Sequence, residues 1–141
     1  MELHLALFLI SIIIYIFFLA LNVSSLLFKK SKLENSNKNP SASVIIAIRN
    51  GEQSLPKLIR CIDRQNYSAE YEFILVDDES TDSTKSIILE SKKKNSKIKY
   101  VSSIDGNPKL SFKKRALDAG IKKSQHDILL FTDVDCRFGK K

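Results

Sequence analysis

Cysteine and histidine are scarce in this 141-residue chain, with two of each. Cys61 lies in a helical pattern and Cys136 lies beside two aspartates, so a structural disulfide is not expected. No histidine stands where it would activate Cys136 as a nucleophile. The sequence also has no zinc-finger spacing, no aromatic stacking platform for nucleic acid and no internal repeat. These absences argue against a disulfide-stapled fold and against nucleic acid as a partner.

Charged residues are absent from the run Leu3 to Phe28, which only a few polar residues interrupt. Because a helix needs about 20 residues to cross a hydrocarbon core, residues 1–28 are predicted to form a transmembrane helix. The basic n-region, short apolar core and small-residue cleavage site of a signal peptide are missing. Lysines begin directly after the run, at Lys29, so the positive-inside rule predicts a single-pass membrane protein with its soluble domain in the cytoplasm.

Positive charge is confined to the remainder of the chain. All 23 Lys and Arg follow Phe28, against 15 of the 16 acids, which gives this part a net charge of about +8. Such a charge suits nucleic acid, anionic lipid headgroups or a nucleotide-diphosphate substrate. The apolar N-terminal run favours the membrane over nucleic acid.

Residues 29–42 are polar and are predicted to form a linker. From residue 43 onward, apolar β-branched runs alternate with helical patterns, as is typical of strands that are covered on both faces of a parallel sheet. The predicted fold class is therefore α/β, with a doubly wound parallel sheet and helices on both faces. The predicted strands are 43–48, 71–76, 98–101 and 127–132. The predicted helices begin at Ser54, at about Ser83 and at Ser111, and the apolar side of the third helix contains Phe112, Ala116, Ala119 and Gly120.

Two carboxylates, Asp133 and Asp135, follow the last predicted strand. In an extended strand, side chains at i and i+2 share a face, so this pair can converge on Mg²⁺ or Mn²⁺. Such a cation takes its other ligands from water and from substrate phosphates, which indicates a nucleotide-diphosphate site. A surface turn is the alternative, because aspartate is a common turn residue.

Polar residues follow the other strands as well. In a doubly wound sheet, ligands bind outside the carboxyl ends of the strands, where the strand order reverses. Asp77 and Asp78, after the second strand, can accept hydrogen bonds from a base or a ribose. Arg49, Lys113 or Arg115 can neutralise a diphosphate. These groups are complementary parts of one site.

Four motifs, in this order, resemble those of family 2 glycosyltransferases of the GT-A type, which include cellulose- and hyaluronan-synthase-like enzymes. Residues 43–52 are similar to the opening strand and Asn-x-Glu turn of that family. Residues 76–82 are similar to its Val-Asp-Asp-Gly-Ser-Thr-Asp motif, and residues 113–120 to its Lys-x-x-Ala-Leu-Asn-x-Gly motif. Residues 132–135 resemble its metal-binding motif.

The resemblance implies a membrane-anchored enzyme that transfers a sugar from a nucleotide-diphospho-sugar, with inversion, to an unknown glycan or lipid acceptor. It implies that Asp78 contacts the base, that Asp77 supports it, and that Asp133 and Asp135 bind Mg²⁺ or Mn²⁺, with Asp135 as the direct ligand. The catalytic base is expected beyond Lys141, so residues 43–141 are expected to form a partial GT-A domain, incomplete at its C-terminus, with apolar surface exposed near the fourth strand. The residues expected to bind the nucleotide sugar are Ala47, Arg49, Asn50, Glu52, Asp77, Asp78, Lys113 and Asp133.

Three positions depart from the family pattern: Glu79 replaces the usual Gly, Asp118 replaces Asn, and Arg49 replaces a frequent Tyr. Two other functions fit the residues. An inactive nucleotide-sugar-binding remnant of a truncated gene would have this same sequence. A haloacid-dehalogenase-type phosphatase also places Asp-x-Asp after an apolar strand, but on its first strand rather than near the end of the chain.

Overall fold

The computed structural model describes residues 2–31 and 39–139, which belong to two separate units. The first unit is one helix, α1, Glu2–Ser31. Within it, His4–Ser24 is a 21-residue stretch of mean hydropathy 2.7, long and apolar enough to cross a membrane. The predicted linker, 29–42, is thus helical as far as Ser31, and residues 32–38 of it lie outside the described residues.

The second unit is built on a four-stranded sheet in the order β3-β2-β1-β4, and every neighbouring pair is parallel. This confirms the predicted α/β class. The chain adds β2 and β3 on one side of β1 and then places β4 on the other side, so the strand order reverses between β1 and β4. The strands are β1 Ala42–Ile48, β2 Tyr71–Asp77, β3 Ile98–Ser102 and β4 Ile128–Thr132.

Helices cover both faces of the sheet, as predicted. They are α2 Leu55–Asp63, α3 Thr84–Lys94 and α4 Phe112–Lys123, and a short 3-10 helix spans Ser103–Asp105. Ser54 and Ser111 occupy the expected N-cap positions of α2 and α4, but neither side chain makes a capping hydrogen bond.

The alternation of side chains along β1 divides the core into two layers. Ile46 and Ile48 pack with α2 and α3 on one face, while Ile45 packs with α4 on the other. Gly120 permits the close approach of α4, because a Cβ there would overlap Ile45 Cγ2 and lie 3.1 Å from Val76 Cγ2. Each face therefore has its own apolar cluster, and the carboxyl ends of the strands are left free for a site.

The edge strand β4 is much more exposed than the other strands. Ile128 is 40% exposed, Leu130 is 51% exposed and Phe131 is 52% exposed. A strand in the middle of this sheet, such as β1, instead has most of its side chains buried. The described residues thus leave apolar surface uncovered around β4.

Candidate functional site

Four of the predicted site residues line one cavity of about 280 Å³ at the carboxyl ends of the strands. Ala47 and Arg49 come from the end of β1, Asp78 follows β2, and Lys113 lies in the first turn of α4. The backbone N–H of Asp78 donates to Ile48 O at 2.8 Å, which holds the ends of the two strands together. The structure therefore brings together residues that are far apart in sequence.

Asp77 and Asp78 are both buried, but they are placed differently. Asp77 Oδ1 accepts a hydrogen bond from Ser80 N at 3.1 Å and so fixes the turn that follows β2. Asp78 is only 7% exposed and lines the cavity. In the part of the chain that the structure describes, its carboxylate makes no hydrogen bond to protein, so it is available to a ligand that donates one.

Asn50 and Glu52 join the loop after β1 to the loop after β2. Asn50 Oδ1 accepts from Thr81 N at 2.9 Å, and its own N–H donates to Ser80 Oγ at 2.9 Å. Glu52 Oε2 accepts from Ser83 N at 2.9 Å. Both residues were predicted to contact the nucleotide sugar. The structure uses their polar atoms to position the two loops, and the direct contact stays a prediction.

Asp82 completes this connection from the other side. Its Oδ2 accepts from Glu52 N at 3.1 Å and its Oδ1 accepts from Thr84 N at 3.0 Å. Desolvation of the carboxylate would raise the pKa of Asp82, but the hydrogen bonds from Thr84 and Glu52 outweigh this effect and lower it. Asp82 is therefore an anion that holds the two loops, and we do not place it in the site.

The backbone conformation at Glu79 shows why the family usually has glycine at this position. Its φ is 54°, in the left-handed region that glycine enters without a steric penalty. A residue with a Cβ costs roughly 1–2 kcal/mol there. The Gly that is usual at this position thus fits the backbone, and Glu79 adopts the same conformation with strain.

The aspartate pair lies in a turn and not in an extended strand. β4 ends at Thr132, and Cys136 N donates to Asp133 O at 3.1 Å, which closes a turn over Asp133–Cys136. Val134, between the two aspartates, packs against the core cluster of α2 and α3. The strand-alternation argument for the pair was therefore wrong, because the strand stops one residue too early. The two aspartates therefore flank a residue that anchors this turn to the core.

Asp133 and Asp135 are both exposed and have different neighbours. Asp133 forms an ion pair with Lys113, which connects it to the cavity. Asp135 lines a separate small cavity of about 70 Å³ with Ser54, Lys57 and Arg137 among its walls. Among residues 2–31 and 39–139 there is no cluster of three or more metal-ligating side chains. A two-carboxylate set still fits Mg²⁺ or Mn²⁺, since these ions complete their coordination with water and phosphate oxygens.

Phe112 is a cavity residue that the sequence did not indicate. The helical pattern placed it on the buried side of α4, where Ala116, Ala119 and Gly120 are indeed buried. Phe112 is instead 73% exposed and lines the cavity beside Lys113. The reason is its φ of 51°, which is not helical. A left-handed φ cannot be read from a pattern of residue types, so the pattern did not show that this side chain is exposed.

The chain is similar to known glycosyltransferases. The family model for glycosyl transferase family 2 matches residues 43–141. The chain is 36% identical over 104 residues to the 4,4'-diaponeurosporenoate glycosyltransferase of Staphylococcus haemolyticus, and the match covers 74% of this chain and 26% of that protein.

Two solved structures show the same architecture. Residues 1–349 of S. aureus TarS in complex with UDP are 28% identical, with a TM-score of 0.53 over 67% of this chain and 27% of that one. The mannosyltransferase PcManGT from Pyrobaculum calidifontis, in complex with GDP-Man and Mn²⁺, is 21% identical, with a TM-score of 0.61 over 72% of this chain and 29% of that one. The likeness to PcManGT shows the shared fold.

The chain spans about a quarter of the length of these relatives. The matched region contains the sheet, the three helices and the cavity described above. The structure and the comparisons agree on one conclusion: the chain belongs to glycosyltransferase family 2.

Proposed function

We propose that this chain is the donor-binding part of a membrane-anchored glycosyltransferase that uses a nucleotide-diphospho-sugar. The observation that carries the proposal is the cavity at the carboxyl ends of β1 and β2, which combines a buried carboxylate, Asp78, with two cations, Arg49 and Lys113. The solved relatives support it, because TarS structures contain UDP or UDP-GlcNAc and the PcManGT structure contains GDP-Man.

Four of the residues that line the cavity have a role in this proposal, and three residues beside it support them. Asp78 accepts a hydrogen bond from the base, and Asp77 holds the turn that positions it. Arg49 and Lys113 face the diphosphate, where a guanidinium and an ammonium form charge-assisted hydrogen bonds with phosphate oxygens. Ala47 leaves space for the nucleoside. Asn50 and Glu52 keep the two loops in register around it.

Asp133 and Asp135 would hold Mg²⁺ or Mn²⁺. When bound, the ion neutralises charge that develops on the departing diphosphate. The Mn²⁺ in the PcManGT structure is consistent with this metal class. The ammonium of Lys113 forms an ion pair with the carboxylate of Asp133. When the donor binds, Lys113 would interact both with this carboxylate and with the phosphates.

The proposed reaction is an inverting displacement at the anomeric carbon of the sugar. The bond from this carbon to the diphosphate oxygen breaks as the bond to the acceptor hydroxyl oxygen forms, and the hydroxyl proton passes to a base. Asp118 is not suited to that role, because it accepts from Asn107 N at 2.7 Å and from Lys122 at 2.8 Å.

The apolar stretch His4–Ser24 supports a single membrane anchor. We place the soluble domain on the cytoplasmic side, since lysines begin directly after the run at Lys29. Nucleotide-diphospho-sugars would then be bound at the cytoplasmic face. The acceptor, a glycan or a lipid, is not defined by these residues.

A second candidate is a nucleotide-sugar-binding protein without turnover, since the carboxylate of Asp118 is held by Asn107 and Lys122 and is not free to act as a base. Bound donor without sugar transfer would identify it. The haloacid-dehalogenase-type phosphatase finds no support, because the aspartates follow the fourth strand and the chain matches family 2 glycosyltransferases.

Calorimetry with the whole chain in lipid nanodiscs tests the proposal. UDP and GDP are titrated with Mn²⁺ and again with a chelator, and we expect at least one nucleotide to bind only with the metal. Asp135→Asn and Asp78→Asn should each weaken binding by about 10-fold or more, equivalent to about 1.4 kcal/mol. Glu90→Gln, on the exposed surface of α3, is the matched control. Equal binding without metal, or no effect of Asp135→Asn, would refute the metal assignment.

A further inference from the structure

Phe112 combines two features that ordinary packing does not explain. Its side chain is 73% exposed, so the ring contributes little to the core. Its φ of 51° is rare for any residue with a side chain, and for a bulky one it is a genuine outlier. The strain of this conformation is therefore not offset by burial of the ring.

Strained backbone of this kind is concentrated at ligand sites, where it directs a side chain that the ligand needs. Phe112 lies at such a place. Its ring lines the cavity that also contains Ala47, Arg49, Asp78 and Lys113. Of the six residues that line this cavity, Phe112 is the one with a flat aromatic face.

The chemistry of the neighbouring residues indicates which part of a donor the ring meets. Arg49 and Lys113 provide positive charge for phosphates, while Asp78 is a buried acceptor suited to the N–H of a base. A nucleobase held at Asp78 needs a surface for its apolar face, and aromatic side chains stack on bases of any sequence. A diphosphate has no apolar face that could stack on such a ring.

We infer that Phe112 is the stacking platform for the base of the nucleotide donor and a positioning residue for this binding step. The inference rests on the proposed function, since it assumes a nucleoside diphosphate in this cavity. It adds a residue that neither the sequence motifs nor the site built from them include. The exposed ring, at the first residue of α4, is free to lie against a base in this cavity.

The test compares probes with and without a base, using the whole chain in lipid nanodiscs. UDP, GDP and inorganic pyrophosphate are each titrated with Mn²⁺. Phe112→Ala should weaken binding of the nucleoside diphosphate by about 10-fold, which corresponds to the energy of one base stacked on an aromatic ring. Binding of pyrophosphate should not change. Phe112→Tyr should restore the affinity, because a phenol stacks as well as a phenyl ring.

Ile104→Ala is the matched control, since Ile104 is 63% exposed and does not line the cavity. A third variant, Phe112→Gly, separates binding from folding. It relieves the backbone strain and removes the ring, so it should keep or raise the midpoint of thermal unfolding while it weakens nucleotide binding. Because Phe112 is exposed, loss of folding in these variants would itself contradict the inference.

The outcomes separate this inference from the proposed function. If the unmodified chain binds neither UDP nor GDP, the proposed function and the stacking role are both wrong. If it binds a nucleotide and Phe112→Ala binds equally well, only the stacking role is wrong. A variant that loses pyrophosphate and nucleotide binding equally would show that Phe112 acts on the diphosphate or on the metal, and would also overturn the stacking role.

Discussion

Lys113, in the first turn of α4, forms an ion pair with Asp133, directly after β4. Both side chains are more than half exposed, at 59% and 56%. An ion pair in such surroundings contributes at most about 1 kcal/mol to stability. The pair is therefore easily opened. The pair matters for the site because it places Lys113, a cation of the cavity, next to Asp133, one of the two carboxylates proposed to bind the metal.

Lys113→Gln is predicted to change metal binding and nucleotide binding in opposite directions. Without nucleotide, the ammonium competes with Mn²⁺ for Asp133, so its removal should raise the affinity for Mn²⁺ alone by about 2- to 5-fold. With nucleotide, the loss of a phosphate contact should weaken UDP or GDP binding by about 10-fold. Electron paramagnetic resonance of free Mn²⁺ and calorimetry of the nucleotide measure the two effects.

Lys114→Gln is the control for this prediction. Lys114 is also exposed and follows Lys113 by one residue in α4, but it does not line the cavity. It should leave both affinities unchanged. Parallel losses of metal and nucleotide binding in Lys113→Gln would mean that the ion pair is needed to hold Asp133 in place.

The strands, and the meeting of Arg49, Asp78 and Lys113 at one cavity, could be predicted from residue patterns. Residues 43–48 are mostly apolar and β-branched because both faces of this strand are covered, and such a run can be recognised in the sequence. The gathering of Arg49, Asp78 and Lys113 followed from one rule, that ligands bind at the carboxyl ends of parallel strands. These features depend on which residues are apolar or charged.

The features that could not be predicted from the sequence depend on single backbone angles and on the residue at which a strand ends. Phe112 fits the apolar stripe of α4, but its backbone is left-handed and its side chain is exposed at the cavity. Asp133 and Asp135 fit a strand pattern, but a turn begins at Asp133. The roles of Asn50 and Glu52 in joining two loops depend on hydrogen bonds to residues about 30 positions away. No local pattern specifies such partners.

Gly51→Ala is predicted to destabilise the domain and to weaken metal binding together. A Cβ at Gly51 would lie 2.6 Å from Ile48 Cγ2 and 3.4 Å from Val134 Cγ2. Overpacking of this kind typically costs about 1–3 kcal/mol. Because Val134 anchors the turn that contains the aspartate pair, its displacement should also lower the affinity for Mn²⁺.

Thermal unfolding and Mn²⁺ titration of the whole chain check both effects of Gly51→Ala. Gly139→Ala is the control, since a Cβ at Gly139 has no neighbour within 4 Å. A destabilised Gly51→Ala that still binds Mn²⁺ normally would show that Val134 does not set the position of the carboxylates.

The orientation of the anchor gives a third prediction. If the soluble domain is cytoplasmic, protease added to intact cells should leave it uncut, and protease added to inverted vesicles should degrade it. Replacing Lys29, Lys30 and Lys32 with Gln should reduce the bias, because positive charge near the end of a span sets its orientation. Cleavage in intact cells by external protease would place the domain on the other side.

At the amino ends of the strands, opposite the site, Glu72 joins the sheet through one buried carboxylate. Its Oε1 accepts from Ser43 Oγ at 2.6 Å and from Gln125 N at 2.8 Å, and its Oε2 pairs with Lys99. These partners come from β1, from the segment before β4 and from β3. Glu72→Gln should therefore lower the free energy of unfolding by about 1–3 kcal/mol, as expected when a buried hydrogen-bonded charge is lost.

This contribution should depend on pH in a defined direction. Burial would raise the pKa of Glu72, but the hydrogen bonds from Lys99, Ser43 and Gln125 outweigh burial and lower the pKa below its ordinary value of 4.5. A carboxylate with a lowered pKa stabilises the fold above its unfolded value, and the stabilisation is lost as the pH falls through the folded value. The difference between the unmodified chain and Glu72→Gln should thus be constant above pH 4.5 and shrink below it.

Hydrogen exchange of the β1 and β2 amides, measured on the whole chain in nanodiscs from neutral pH down to pH values below 4.5, reports this difference. Glu90→Gln is the matched control, because Glu90 pairs with Lys94 on the exposed surface of α3 and should leave the exchange of the sheet unchanged. If Glu72→Gln and Glu90→Gln protect the sheet equally at neutral pH, the carboxylate of Glu72 does not hold the strands together. The sheet would then be stabilised by the two apolar layers alone.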